Sequence, residues 1–144
     1  MTETSSASGP DDQHCPGIDV HLDQFQWENR ILVIFASQSD SEIYQAQMEM
    51  FSEYTDGLKE RDLITFSLFD EECSRLGGDI ITNSSAESIR DRISPANCTY
   101  SIYLIGKDGG IKLKKEELLE VDELFSTIDR MPMRQREMRE GGQE

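Results

Sequence analysis

The chain has 144 residues, a length typical of one domain with a buried core. Its 29 acidic and 14 basic residues give a formal net charge of -15 at pH 7. This acidity argues against nucleic acid as a partner, because phosphate binding needs clustered basic side chains. The first 30 residues contain neither a basic start nor an apolar run of seven or more, so we predict no secretory signal, no membrane span and a cytoplasmic location.

The cysteines indicate a reducing environment. Cys15, Cys73 and Cys98 are far apart and odd in number, without a CxxC pair or the Cys/His spacing of a zinc finger. We therefore expect reduced thiols, and we predict neither a metal nor another cofactor.

Residues 1–23 are rich in Ser, Thr, Asp, Gly and Pro, with five acids and no Lys or Arg. Such a segment cannot bury enough apolar surface to fold alone, so we predict a disordered acidic arm. Its His14, Cys15 and His21 could hold a metal only if the arm folded back, since structural zinc needs four fixed ligands. The folded domain is expected at residues 24–130, followed by a tail at residues 131–144.

A central strand is predicted after this arm. Residues 31–36 are continuously apolar, which is typical of a strand covered by helices on both faces. The preceding residues 25–30 are expected to be extended, with Phe25 and Trp27 packed on the same side.

A helix is predicted directly after this strand. Apolar residues recur at helical spacing from Ile43 to about residues 57–61, and Ser39 with Glu42 has the spacing of a capping box at the helix start. Residues 62–69 then form a second strand, and the three elements make a right-handed βαβ unit.

The remaining elements follow from periodicity and from turn residues. We predict a loop at residues 70–83, a helix at 84–93, a strand at 99–106, its hairpin return at 111–114 and a helix at 116–129. The Asp108-Gly109 pair supplies the positive φ values of the hairpin turn, and Pro132 ends or kinks the last helix.

This order of elements is that of a thioredoxin-like domain. The segments FQWENRILVIFA at residues 25–36, LIGKDGG at 104–110 and IDRMPMRQRE at 128–137 resemble the P-DUDES family. That family is a bacterial domain of unknown function, related to domains of Equarin and of sushi-repeat proteins. The resemblance implies an α/β three-layer sandwich, with a central mixed sheet of about four strands and flanking helices, and it carries over no activity.

The resemblance directs attention to the loop between the first strand and its helix. Thioredoxins place their nucleophilic cysteine there, whereas this chain has Ser39-Asp40-Ser41-Glu42. Serine cannot relay electrons, so the dithiol route is missing. Ser39, Asp40 and Glu42, with Thr99 at the start of a later strand, are therefore predicted to form a binding corner.

One thiol is expected near this corner. Thioredoxin-like proteins have a proline before the third strand, whereas this chain has Asn97-Cys98-Thr99. Cys98 is consequently the weak candidate for a catalytic residue, as a single reactive thiol. The alternative is that Cys98 is a small buried side chain at the start of the strand.

Arg134 and Arg136 are flanked by methionines and are predicted to form a partner surface, since Arg and Met are enriched at interfaces. We interpret the chain as a non-catalytic binding or regulatory module with a protein partner. The alternative is a single-thiol redox enzyme or sensor that uses Cys98.

Overall fold

The computed structural model of the protein describes residues 15–95 and 99–142. At its centre is a six-stranded mixed sheet with the strand order β4-β3-β2-β1-β5-β6. The strands are β1 (Arg30–Ala36), β2 (Leu63–Phe69), β3 (Arg75–Leu76), β4 (Asp79–Ile80), β5 (Tyr100–Ile105) and β6 (Ile111–Lys115). Strands β1 and β2 are parallel, and each other neighbouring pair is antiparallel.

Helices cover both faces of this sheet. They are α1 (Glu42–Ser52), α2 (Thr55–Glu60), α3 (Asn83–Ile93), α4 (Val121–Asp129) and α5 (Pro132–Gly142), and a 3₁₀ turn (Leu22–Phe25) precedes β1. Helix α3 contributes buried residues to the core on one face, and α1 and α4 contribute to the core on the other. Within residues 15–95 and 99–142, no helix is both long enough and apolar enough to cross a bilayer.

Strand β1 is buried along its whole length, as its continuous apolarity predicts. Alternate side chains point to opposite faces of a strand, so Ile31, Val33 and Phe35 join the core beneath α3. Leu32 and Ile34 join the core beneath α1 and α4. The two cores therefore meet at one strand, which pairs with β2 on one side and with β5 on the other.

The sheet has six strands and not about four, because part of the predicted loop at residues 70–83 is a short hairpin. Strand β3 pairs with β2, and β4 pairs with β3. Gly77 lies between them with φ +59°, a conformation that glycine adopts without steric cost. The short strands lack a visible period of two, which is why the sequence did not predict them.

The structure places residues 15–23 against the domain, and this differs from the predicted disordered arm. Cys15 and Cys73 form a disulfide across a separation of 58 residues, which also corrects the expectation of reduced thiols. Ile18 bridges in parallel to Ile81, and the buried Val20 amide donates to Ser85 Oγ at 2.9 Å. Burial of a few apolar residues and one covalent link thus hold a segment whose composition alone favours disorder.

Trp27 does not pack beside Phe25 as predicted. The Phe25 ring contacts Phe66 edge-on at a centroid distance of 6.0 Å, whereas Trp27 is 60% exposed. Trp27 has φ +74°, so the chain turns where an extended lead-in was expected. This turn separates the two aromatic side chains.

Helix α5 is held to the sheet by buried charges. Arg30, at 1% exposure, donates from both Nη atoms to the carboxylate of Glu137 at 3.2 Å. Lys107 Nζ donates to Glu137 at 2.6 Å and to Asp62 at 2.9 Å. Burial disfavours the charged carboxylate of Glu137, but hydrogen bonds from Lys107 and Arg30 outweigh it and lower its pKa.

Arg134 of α5 is also buried, at 3% exposure, and also pairs with acidic side chains. It donates to Glu60 at 2.8 Å and to Asp129 at 3.1 Å, and Asp129 also accepts from Arg61. Arg134 therefore does not form the exposed partner surface that the sequence predicted, whereas Arg136 is exposed on α5.

We expect the disulfide to stabilise the fold by about 2–4 kcal/mol, because it restricts the unfolded chain. Reduction should lower the melting temperature by roughly 5–15 °C, measured by differential scanning calorimetry with and without dithiothreitol. The double variant Cys15→Ser, Cys73→Ser is the control and should show no further change with reductant. An unchanged melting temperature of the wild type on reduction would contradict this structural role.

Replacing Glu137 by Gln should lower the free energy of unfolding by about 2–4 kcal/mol in urea at pH 7, because it leaves buried cations underpaired. The exposed Glu140 on the same helix provides the matched control, and Glu140→Gln should change stability by less than about 0.5 kcal/mol.

Wild type and Glu137→Gln also test how the contribution of Glu137 to stability depends on pH. Since folding lowers the pKa of Glu137, its stabilisation is complete above the unfolded value of about 4.3 and is lost as the pH falls through the folded value. The stability difference between wild type and Glu137→Gln should therefore narrow below about pH 4. A constant difference from pH 7 to pH 3 would refute the ionic contribution.

Candidate functional site

Two loops meet at the carboxyl ends of the parallel strands β1 and β2, the place where open α/β sheets hold their ligands. The loops extend the pairing of the strands by two backbone hydrogen bonds. Asp70 N–H donates to Ala36 O at 3.1 Å, and Glu71 N–H donates to Ser37 O at 2.9 Å. The loop after β1 and the loop after β2 are thus fixed to each other.

Glu72 binds Ser39 in the loop that follows β1. Its carboxylate accepts from the Ser39 amide at 2.7 Å and from the Ser39 hydroxyl at 3.1 Å. These two hydrogen bonds, the hydroxyl first, lower the pKa of Glu72. Gln45 from α1 donates to Ser39 O at 2.7 Å and completes the arrangement.

The predicted capping box is wrong. Helix α1 begins after Ser41, and Glu42 is its first residue, so Ser39 lies outside the first turn. Ser41 makes no side-chain capping bond, and its hydroxyl is buried without an acceptor or donor among the described residues. The physical reason is that the Ser39 hydroxyl binds Glu72 and is not available to the helix.

A cleft of about 490 Å³ lies beside this corner. It is lined by Cys15, Phe69, Asp70, Glu71, Glu72, Cys73 and Asn83. The disulfide forms part of its wall, with Cys15 buried and Cys73 half-buried. Oxidised sulfur atoms provide neither a thiolate nucleophile nor a thiolate metal ligand. In the part of the chain that the structure describes, no three His, Cys, Asp or Glu side chains are grouped to hold a metal ion.

The structure brings the predicted corner residues into one region. Asp40 and Glu42 are exposed on either side of the helix start. Thr99 is exposed immediately before β5, whose first residue Tyr100 pairs with Ala36 at the end of β1. Cys98 lies outside the described residues, so the single-thiol alternative remains a prediction.

Glu72 and the disulfide were missed from sequence. The run Asp70-Glu71-Glu72 directly follows the second strand of a βαβ unit, and its position could have drawn attention to it. No sequence signal distinguishes which of the three acids turns towards Ser39. Cysteine spacing likewise does not identify a pairing.

A comparison with protein families finds a match over most of the chain. A family model described as "Domain of unknown function (DUF4174)" matches residues 21–137. The human "Sushi repeat-containing protein SRPX" is 28% identical over 120 residues, which cover 81% of this chain and 26% of that protein. The chain therefore spans about a quarter of the length of this relative.

Solved structures show the fold class. The reduced 2-Cys peroxiredoxin of Plasmodium vivax aligns over 80% of this chain and 84% of its own, with a TM-score of 0.56 and 12% identity. The thioredoxin domain of a thiol-disulfide oxidoreductase from Bacteroides vulgatus aligns over 85% of this chain and 98% of its own, with a TM-score of 0.53 and 15% identity. The fold is thioredoxin-like, as the sequence resemblance implied, and identities this low carry no activity.

The contact between Glu72 and Ser39 predicts a titration visible by NMR. The Ser39 amide proton should shift with pH at a midpoint below the ordinary glutamate range, because Glu72 has a lowered pKa. In Glu72→Gln this shift should disappear, whereas it should persist in the neighbouring control Glu71→Gln. A midpoint at the ordinary glutamate value would contradict the hydrogen bonds.

Proposed function

This chain belongs to the family of the domain of unknown function DUF4174, and we propose that it is a thioredoxin-like binding module without dithiol redox activity. The observation that carries the proposal is the pairing of Ser39 with Glu72. In redox-active thioredoxins the position after the central strand holds a thiolate, which the amides of the helix start stabilise. Here a carboxylate from the same chain accepts from the amide and the hydroxyl of Ser39.

Nucleophilic chemistry by Ser39 is also disfavoured. A serine hydroxyl needs a neighbouring general base, and the base in contact with it is Glu72. The pKa of Glu72 is lowered, which makes its carboxylate a weaker proton acceptor. The pair therefore favours a structural role in a binding surface over a catalytic one.

The disulfide bears on the compartment. The sequence predicts a cytoplasmic protein, whereas a disulfide between cysteines 58 residues apart supports an oxidising compartment. An oxidising compartment is therefore part of the proposal. A protein partner is also part of the proposal.

Reduction of insulin by dithiothreitol, followed by turbidity, tests the proposal. The rate of insulin reduction with the chain present should equal the rate without added protein. An ordinary thioredoxin serves as the positive control. A parallel assay follows peroxide consumption in the presence of dithiothreitol, again with no acceleration expected.

The variant Cys98→Ser separates the two hypotheses for this chain. A rate above background in the wild type that is lost in Cys98→Ser would favour the single-thiol alternative and overturn the binding proposal. Insulin reduction comparable to that of thioredoxin would overturn it as well.

A further inference from the structure

The disulfide between Cys15 and Cys73 lies where a thiol can approach it in the folded chain. It forms part of the wall of the cleft of about 490 Å³, which exposed acidic residues also line. Cys15 is 5% exposed, whereas Cys73 is half-buried. Exchange begins when a thiolate attacks one of the two sulfur atoms, so its rate depends on access to that sulfur. Cys73 is therefore the cysteine that a thiolate attacks more readily.

The disulfide tethers a short segment, residues 15–19, which we call the strap. The strap lies beside the end of β4, at the edge of the sheet. Ile18 N–H donates to Ile80 O at 2.9 Å, and Thr82 N–H donates to Ile18 O at 3.1 Å. The Thr82 hydroxyl also donates to the Asp19 carboxylate at 2.7 Å. Only the first residue of the strap is buried, so the strap covers the edge without contributing to either core.

These hydrogen bonds are too few to hold the strap without the covalent link. Each of them contributes little net stability, because water replaces it when the strap leaves an exposed edge. Fixing the backbone of five residues costs conformational entropy at every one of them, and this cost exceeds the gain from three such bonds. The disulfide lowers the cost by restricting the unattached chain. The covalent link therefore determines whether the strap stays on the edge.

The chain on either side of the tether has anchors of its own. Val20, at 2% exposure, follows the strap directly, and its N–H donates to Ser85 Oγ at 2.9 Å. Ser74 follows the second cysteine and is also 2% exposed. Its carbonyl accepts from Ile81 N–H at 3.0 Å, and its hydroxyl accepts from Phe69 N–H at 3.0 Å. Loss of the disulfide therefore frees the strap and leaves both neighbouring segments in place.

Gly17 shows how closely the strap approaches the edge. A Cβ atom at this position would lie 1.9 Å from the Ile80 carbonyl oxygen. Because that oxygen belongs to the backbone of the sheet, it cannot move aside as a flexible side chain can. Any residue larger than glycine is therefore excluded while the strap is on the edge and is tolerated once the strap has left.

We propose that this disulfide is a redox-sensitive switch that controls the strap. A dithiol, either a small molecule or an oxidoreductase with two active-site cysteines, reduces the disulfide in the folded chain. The strap then leaves the edge of the sheet, while the rest of the domain keeps its fold. The Ile80 carbonyl and the Thr82 amide, which bind the strap in the oxidised chain, lose these partners in the reduced chain.

The electrons and protons of this step balance. One thiolate of the dithiol attacks the sulfur of Cys73, the sulfur–sulfur bond breaks, and Cys15 leaves as a thiolate. The second thiolate of the dithiol attacks the mixed disulfide, and Cys73 leaves as a thiolate. Two electrons thus pass from the dithiol to the two cysteines, which take up the two protons that the dithiol gives up. The dithiol ends as a disulfide.

The switch goes beyond the proposed binding function and does not depend on it. In this reaction the chain is the substrate of the dithiol, whereas the insulin and peroxide assays ask whether the chain is a catalyst. The measurements below follow only the chain's own disulfide and strap. The switch can therefore fail while the proposed function stands, and the reverse.

Backbone motion measured by NMR tests the release of the strap. The chain carries Cys98→Ser, which leaves the tethering pair as its only cysteines. With dithiothreitol, the heteronuclear ¹H–¹⁵N Overhauser effect at residues 17–19 should fall from rigid to flexible values, while Val20 and Ile81 stay rigid. A strap that stays rigid after reduction would overturn the proposal. So would mobility that spreads to Val20 and Ile81, because reduction would then disorder the whole edge.

The double variant Cys15→Ser, Cys73→Ser is the control for this measurement. Its strap should be flexible without reductant and should not respond to dithiothreitol. A rigid strap in the double variant would show that the noncovalent contacts suffice, which would contradict the switch.

The kinetics of reduction test whether the folded chain is the form that reacts. The reduced fraction is followed by trapping thiols with iodoacetamide and weighing the product by mass spectrometry. The rate should rise in proportion to the dithiothreitol concentration and should change by less than about twofold in urea below the unfolding transition. A rate that saturates with dithiothreitol and rises steeply with urea would mean that unfolding precedes attack, and it would refute the proposal.

Gly17→Ala tests the coupling between the disulfide and the strap. Because the added methyl group clashes with Ile80 only while the strap is on the edge, the equilibrium in glutathione buffers should shift towards the reduced chain by about tenfold or more. Gly78→Ala is the matched control, since a Cβ there meets nothing within 4 Å, and it should shift the equilibrium by less than about twofold. An equal equilibrium in wild type and Gly17→Ala would mean that reduction does not move the strap, contrary to the proposal.

Discussion

Burial of the Arg30 guanidinium at the first position of the central strand is the constraint on which much of this structure depends. A charge at 1% exposure needs internal counter-charges, and Glu137 supplies the nearest one from the far end of the chain. That pairing attaches α5 to the domain and brings Met131 and Met133 beside Trp27. The domain therefore extends through the helix Pro132–Gly142, which the sequence analysis predicted as a tail.

Buried polar groups lie at both ends of β1, and only some of them have hydrogen-bond partners among the described residues. At the carboxyl end, Glu72 accepts hydrogen bonds from the amide and the hydroxyl of Ser39. At the amino end, Arg30 keeps a buried donor without an acceptor among the described residues. At the carboxyl end the Ser41 hydroxyl is likewise buried without a partner among the described residues, so both ends of the strand keep unfilled hydrogen-bonding capacity.

Local patterns predicted the main elements of the fold, because β1 is a continuous apolar run, β2 is mostly apolar, and Asp108-Gly109 marks the hairpin turn. Contacts between distant residues were not predictable in the same way. The disulfide joins Cys15 to Cys73, and Arg134 is buried through Glu60, 74 residues away, so neither spacing nor composition indicates them. The exposure of Trp27 depends on one positive φ, which a pattern of alternating aromatics does not reveal. For the same reason the contact of Glu72 with Ser39 was not predicted.

The disulfide also determines how the domain carries mechanical load. The covalent ring closed by Cys15 and Cys73 contains β1, α1, α2 and β2. A pull applied to the chain before residue 15 passes through the sulfur–sulfur bond to residue 73, and the parallel β1–β2 pair inside the ring bears no tension. Force from the amino-terminal side therefore enters the chain at residue 73, immediately before the short β3–β4 hairpin at the sheet edge. The segment that carries β1 and β2 is thereby shielded from stretching along the chain.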